Sequence, residues 1–491
     1  MAQLLGFGIT SYTSAAPAPS WDMMNRDALS ATSYTSSAPA PSWDMVDRDA
    51  LQARLQAIAD SKAAQYECEI SIAVETGSGL SVSASTVGGA FVWGSVTKLA
   101  TGAALMQMVG FGKLTLDGPV APHIDGALAN LGLGSLASLF GAAAGRVTLR
   151  HLLGMKSGIP DYDTAKPFPL PPTDPFRASV YAHPSDEYPP EVLLNLTWVR
   201  RGALDFPPGE RFSYSSTNFV LAGLLLASLK GARRWDEYDQ KDLLSPLPLH
   251  RRRQYAGLRF ATHGTPASVG AVRGYDRTNY NGANHSARPG RKVGSVAGVF
   301  GGWTASDLVA PASDVARLAY DLFGASGPRL LAPELVAEMV PGASRQGSAA
   351  VPPSPEMPPA IYGLATFNLS MMGLTGQSPL GPYARAYGHL GATYGYDSIV
   401  GYFPGIDVAI SVASSIETDV QTQPSDALCF AYNAVLAAAR GLPEPACSFS
   451  KHSYFGGSCN CGNDYVCRAG MCIRDALGGS LYKEDCSRVC A

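Results

Sequence analysis

Strand-type sequence stands at both ends of the long apolar part of this chain, and helix-type sequence fills the stretch between. Residues 69–76 and 80–86 are alternating or apolar runs joined by Gly77-Ser78-Gly79, the signature of a hairpin. Strand signals return only at residues 362–369, 398–403 and 408–414, after a helix-type stretch at 95–109 and a long run of helical and loop segments. A last helix at 425–440 closes the unit. A sheet assembled from both ends of a chain obliges everything between to leave the sheet and return to it. The predicted class is therefore α+β: an antiparallel sheet flanked by helices plus an all-α subdomain. Two proline-rich stretches, 166–175 and 351–359, read as surface insertions.

Composition agrees with a large folded unit. Of 491 residues, 46% are hydrophobic and only 16% charged, enough apolar material for a sizeable core. The formal charge of −3 gives no basic excess, so nucleic acid and anionic membranes are not expected partners. The uncharged stretch 126–145 carries five glycines together with Asn130, Ser135 and Ser138, too polar for a membrane span.

The ends of the chain differ from its middle. Ser11 to Ala31 and Ser33 to Ala53 form a direct repeat with a period of 22, too few copies for a solenoid. The second copy runs on into an amphipathic helix, so residues 1–54 are read as a duplicated Ser/Ala/Pro-rich segment and 55–441 as the main domain. Seven of the nine cysteines crowd into 442–491: Cys447, Cys459, Cys461, Cys467, Cys472, Cys486 and Cys490. That density predicts a small disulfide-rich C-terminal module; the alternative, a zinc site, lacks paired CxxC spacing. Seven is odd, so one of them is free or pairs with Cys68, Cys429 or another chain; Cys68 and Cys429, in a strand-like and a helix-like run, are otherwise expected to be buried free thiols. The cysteines favour a secreted or extracellular protein and a protein or surface partner for this module. MAQLLGFGIT, in contrast, has no basic n-region of a signal peptide.

Three short motifs carry chemistry. In Ser95-Val96-Thr97-Lys98 the first and last residues share a helix face, so a hydroxyl meets an amine that burial can hold neutral. The plainer reading is a capping serine and a solvated lysine. In Phe212 to Phe219, after the turn Pro207-Pro208-Gly209-Glu210, Tyr214 heads a hydroxyl cluster, and a phenol beside an ammonium can exchange protons. The third is Gly388-His389-Leu390-Gly391-Ala392, where Gly391 lets backbone approach a substrate and a following N–H can serve an oxyanion hole.

GSVTKLATGAALMQMVGFGKLTLDGPV, VTLRHLLGMKSGIPDY, FPPGERFSYSSTNFVLAGLLL and GHLGATYGYDSIVGYFPGIDVAISV, in this order, resemble the serine β-lactamase-related family. That family includes class C β-lactamases, penicillin-binding D,D-peptidases, D-aminopeptidases and esterases. The similarity spans roughly residues 55 to 440. It implies a β-lactamase/transpeptidase-like fold, with the site between the α/β sheet domain and the all-α domain. By the same resemblance Ser95 is the acylated nucleophile, Lys98 its partner base, and Tyr214 the tyrosine that exchanges protons with nucleophile and leaving group. His389 stands where class C enzymes carry the lysine of a KTG triplet. Backbone N–H groups of Ser95 and Ala392 would form the oxyanion hole, and Ser216 and Gly391 would border the substrate. One position departs: the tyrosine-x-asparagine of the family is here Tyr214-Ser215-Ser216.

The expected function is a serine hydrolase forming an acyl-enzyme on a small ester, amide or D-amino-acid peptide or β-lactam-like substrate, without metal or cofactor. The rival is a catalytically weak scaffold or binding protein on the same fold, favoured by Ser216 and the appendages. Neutral His389 is expected in the proton network of Tyr214, giving activity that rises through the mildly acidic range.

Overall fold

The computed structural model describes residues 43–163, 173–232, 234–237, 255–326, 330–341, 362–369, 383, 385–419, 421–445 and 447, with the backbone of 465–468 and 471–474. Its centre is a six-stranded sheet. Helix α1 (Arg48–Tyr66) leads into strands β1 (Ile70–Thr76) and β2 (Ser81–Ser85). The Asp47 side chain caps α1 by accepting from the Ala50 amide at 3.0 Å. The other strands come from the far end of the chain: β3 (Phe367–Asn368), β4 (Tyr387–Thr393), β5 (Tyr396–Phe403) and β6 (Val408–Ser414). The order is β2-β1-β6-β5-β4-β3, antiparallel throughout, with Ile70 opposite Ser414 and Asp397 also opposite Ser414.

Every residue of β1, β5 and β6 is buried, which an antiparallel sheet achieves only with both faces covered. Register identifies the covers. Phe403 lies opposite Val408, so both side chains point to one face; there Phe403 stacks at 4.2 Å on Tyr432 of helix α5 (Thr422–Arg440). Ser411 is odd-spaced from Val408 and faces the other way, donating to the Ala312 carbonyl at 2.7 Å, where helix α4 (Ala312–Phe323) begins. Helices α1 and α5 also pack on each other, and Lys62 of α1 meets Asp426 of α5 at 2.8 Å.

The helical part gathers around α3 (Thr217–Leu229), buried from Thr217 through Ala227. An apolar helix without a polar face belongs inside. It packs on α2 (Thr97–Gly110) and on the shorter helices Ala121–Asn130 and Leu149–Leu153. The structure is thus α+β as expected, with hairpin, final helix and helical insertion where the sequence placed them. None of the helices among the described residues is long and apolar enough to cross a membrane.

Three expectations change. The strand predicted over 362–369 shrinks to Phe367–Asn368 plus a bridge from Tyr362 to Phe367, because Ala365 takes a left-handed φ of 54° and turns the chain. Cys429 is not a free thiol: it is disulfide-bonded to Cys447, which places one tail cysteine against α5. Cys68 is free. Within 442–491 the described residues are 442–445, Cys447 and the backbone of an antiparallel pair, Tyr465–Arg468 with Met471–Arg474, so the disulfide-rich module falls mostly outside them. The first repeat copy and most of both proline-rich stretches lie outside them too, whereas Pro175 opens a helix, Pro175–Ala182. Position 54 lies inside α1.

Candidate active site

Ser95 sits in a single 3-10 turn, Gly94–Val96, that runs directly into α2. The turn is fixed by Thr97, whose hydroxyl donates to the Gly94 carbonyl at 2.6 Å and accepts from the Leu308 amide at 2.9 Å. One turn on, Lys98 points back, its Nζ 2.8 Å from Ser95 Oγ and 3.1 Å from the Ala305 carbonyl. Ser95 is half-buried and reachable, while Lys98 has no solvent exposure. Burial holds the Lys98 amine down at about 8, against the opposing pull of Asp163 and Asp161. The hydroxyl and the amine therefore meet as the SxxK spacing predicts, and the solvated-lysine reading is excluded.

Strand β4 lies against this turn. At Gly94, with φ of 49°, a Cβ would stand 2.6 Å from the Ala392 carbonyl oxygen and 3.0 Å from the Ala392 nitrogen. At Gly391 it would stand 2.0 Å from the Trp93 carbonyl oxygen. Both glycines exist to let backbone touch backbone. Ser398 of β5 pins the approach by donating to the same Trp93 carbonyl at 2.9 Å. Ser95 and Ala392, from distant parts of the chain, are thereby neighbours.

Tyr214 approaches from the third side. Its segment is laced to residues 155–162: the Ser213 amide donates to the Met155 carbonyl at 2.8 Å, the Ser216 amide to Asp161 Oδ1 at 2.9 Å, and the Tyr162 amide to the Thr217 hydroxyl at 2.9 Å. Lys98 Nζ lies 5.1 Å from the centre of the Tyr214 ring. Ser216 is buried at 3% exposure.

His389 is in the same region with different company. Its Nδ1 is 2.5 Å from the Leu390 carbonyl, which can only accept, so Nδ1 carries a proton. Nε2 stands 3.0 Å from the Tyr362 hydroxyl and, in the neutral ring, accepts from it. Burial, then the Lys98 charge, push His389 down to about 3. The neutral form is the expected one, but the predicted link to Tyr214 is replaced by Tyr362. The titration of His389 itself is thereby moved well below the mildly acidic range, chiefly by burial. Tyr362 and Phe367 touch both Tyr214 (6.1 and 6.4 Å between rings) and His389 (5.8 and 4.8 Å).

Tyr362, Phe367, Asp163 and Ala305 carry no motif that marks them in the sequence, and Asp161 is given no role there. The first two lie in a run that reads as plain strand, and Asp161 in the IPDY block. Ala305 acts through its carbonyl and leaves no side-chain signal. Nearby Asp307 is fully buried, neither carboxyl oxygen has a hydrogen-bond partner, and burial pushes its acid up to about 8. Among the described residues no group of three His, Cys, Asp or Glu side chains could hold a metal.

Solved structures share this fold across most of the chain. A D-stereospecific amidohydrolase from Streptomyces sp. aligns with a TM-score of 0.55 at 20% identity, over 80% of this chain and 98% of its own. The D-amino acid amidase from Ochrobactrum anthropi SV3, complexed with L-phenylalanine amide, aligns at 0.56 and 18%, over 79% and 99%. The octameric penicillin-binding protein homologue from Pyrococcus abyssi aligns at 0.53 and 19%, over 80% and 78%. At these identities the likeness concerns the fold. The Beta-lactamase family model matches residues 74–428, a span that holds Ser95, Lys98, Tyr214, His389 and Ala392, and the chain belongs to the Beta-lactamase family.

Proposed function

We propose that this protein is a serine hydrolase that works through an acyl-enzyme. The observation that carries the reading is the 2.8 Å contact between Ser95 Oγ and the fully buried Lys98 amine. As a free amine, Lys98 keeps one N–H on the Ala305 carbonyl and offers its lone pair to the Ser95 hydroxyl. Ser95 Oγ then attacks the substrate carbonyl, and the developing oxyanion is received by the backbone N–H groups of Ser95 and Ala392. Tyr214 passes the proton to the leaving group, and water releases the acyl group from Ser95 by the reverse path. His389 acts through others: it fixes Tyr362, which with Phe367 forms the wall against the Tyr214 ring, so it is a positioning residue.

The substrate class is a small ester, amide or D-amino-acid peptide. Ser216 offers no carboxamide where the family pattern has asparagine, and its amide is committed to Asp161, so the recognition of a peptide-like amide is weaker here than acylation itself. One fold neighbour is a D-amino acid amidase, which makes D-amino acid amides the first amides to assay. The experiment is labelling with a fluorophosphonate, read by intact mass and peptide mapping. One adduct on Ser95, absent in Ser95→Ala, is expected, together with turnover of a p-nitrophenyl ester lost in the same variant. No adduct on well-folded protein would overturn the reading.

A further inference from the structure

The flank of the Ser95 cleft beyond Tyr214 carries an acid that the mechanism does not use. Residues 161–163 run beside the Tyr214 segment, tied to it by the Ser216 amide on Asp161 and by the Tyr162 amide on the Thr217 hydroxyl. The Tyr162 ring meets Phe176 edge-on at 5.2 Å between ring centres, so helix Pro175–Ala182 forms the next wall. Tyr394, two residues past Ala392, closes it: its ring lies 6.4 Å from Phe176, and the Arg177 guanidinium stands 4.4 Å from its centre. Asp163, next in the chain to Tyr162, is thereby placed against this flank. Its charge is felt by Lys98 and by Tyr394.

Charge is unevenly matched here. Arg177 is buried and forks onto Glu417 with two contacts of 2.7 Å; it also holds Asp276 at 2.8 Å and Asp174 at 3.1 Å. Three carboxylates thus enclose one guanidinium, and Asp163 is not among them. Lys98 spends its contacts on Ser95 and the Ala305 carbonyl, and its working form carries no charge. His389 is neutral with both ring nitrogens engaged. Among the described residues the half-buried Asp163 carboxyl accepts no hydrogen bond and forms no ion pair; the Asp163 amide donates to Asp161 Oδ1 at 3.4 Å. Burial, then the carboxylates of Asp174 and Asp161, hold the Asp163 acid well above the usual range. A carboxyl so placed keeps its proton until a cation arrives to replace it.

We propose that Asp163 is a specificity-determining residue that makes the cleft selective for acyl donors carrying an ammonium group, over neutral and carboxylate-bearing ones of the same shape. The inference rests on the serine hydrolase reading of Ser95. The substrate ammonium supplies the pairing that Arg177 and Lys98 withhold, and Asp163 releases its proton to solvent as the pair forms. A substrate carboxylate instead adds negative charge to a set that already holds more acids than bases, and the two cations felt by Asp163 are engaged elsewhere.

The test compares p-nitrophenyl 6-aminohexanoate, heptanoate and hydrogen pimelate on the full-length protein; the flexible acyl chains differ only in ending on an ammonium, a methyl or a carboxylate. At pH 7 kcat/KM should fall in that order, with about tenfold between the ammonium and the neutral ester. The titration of Lys98 acts on every ester alike, so the ratio isolates Asp163. Asp163→Asn and Asp163→Ser should each bring the ammonium-to-neutral ratio to within about twofold of one, and Asp163→Glu should keep the preference. Thermal transitions are recorded for each variant, and the ratio is read from those that fold. Equal kcat/KM for the ammonium and neutral esters in wild type, or a preference that survives both uncharged variants, overturns the proposal while the hydrolase reading stands. If no ester is turned over and Ser95 takes no fluorophosphonate, that reading fails and the proposal with it.

Discussion

On the proposed mechanism, Lys98 sets the pH dependence of the reaction. Burial brings its amine from 10.5 to about 8. At pH 7 roughly one molecule in ten then carries the free amine, against about one in three thousand for an unshifted lysine; the difference is worth about 3 kcal/mol. With the free amine as the proposed base, activity should be low while Lys98 is cationic and should rise as pH climbs through 8. The rate constant for fluorophosphonate inactivation is the cleanest readout, because it reports Ser95 attack without product release. It should climb close to tenfold per pH unit between about pH 6 and 7 and level off near pH 9. Lys98→Met, similar in volume and without a base, should lose about a thousandfold at the plateau. The same variant should be more stable than wild type at pH 7, by up to about 3 kcal/mol, because the buried cation is gone. A profile flat from pH 6 to 9, or the same limb persisting in Lys98→Met, refutes the assignment.

Three further outcomes follow from the same geometry. Gly94→Ala places a methyl against the Ala392 backbone in a left-handed conformation, so phosphonylation should fall by about a hundredfold with circular dichroism retained, consistent with loss of an oxyanion donor; near-normal labelling would show that the contact does not matter. His389, held at about 3, should stay neutral with its proton on Nδ1 from pH 5 to 9, which ¹⁵N NMR of labelled histidine reads directly. Its folded value lies below the unfolded one, so its contribution to stability is lost as pH falls below about 6.5; an imidazolium signal at pH 6 contradicts this. Asp307, held at about 8, works in the opposite sense: the folded state keeps a proton that the unfolded chain releases above about pH 4, so stability drains away between pH 4 and 8. Asp307→Asn should flatten that slope and gain as much as about 4 kcal/mol at pH 7 in urea unfolding, and an unchanged slope would show that Asp307 is not its source.

The sequence made legible what depends on local pattern. The β1–β2 hairpin, α2 and the i,i+3 pair of Ser95 and Lys98 follow from periodicity and spacing, and they stand where expected. What depends on the meeting of distant segments was not readable. Strand β4 reads only as a lead-in to strand because glycine lowers strand propensity, and Gly388 and Gly391 are there because Val400 and Trp93 carbonyls leave no room for a Cβ. The partner of His389 could not be named, since Tyr362 reaches it across a turn set by one left-handed alanine. The odd count of tail cysteines left Cys429 open as a partner, but only the fold shows that it is Cys447 that lies beside it, since nothing in a helix pattern announces a neighbour from the tail.

The pairing of Ile70 with Ser414 at the middle of the sheet has a consequence for biosynthesis. Strand β1 ends at Thr76 and waits for β6, which begins only at Val408; until then one edge of the first hairpin stands open. The Ser95 turn waits as well, since Ala392 is the backbone it must pack against. A nascent chain stopped before residue 414 carries Ser95 and Lys98 but lacks the complete strand that closes the sheet. Loop closure over such a span is slow. The chain therefore commits to its native sheet only once residues 408–414 have been made, and a holdase that shields the early hairpin should raise the yield of folded protein more than one acting after the sheet has closed.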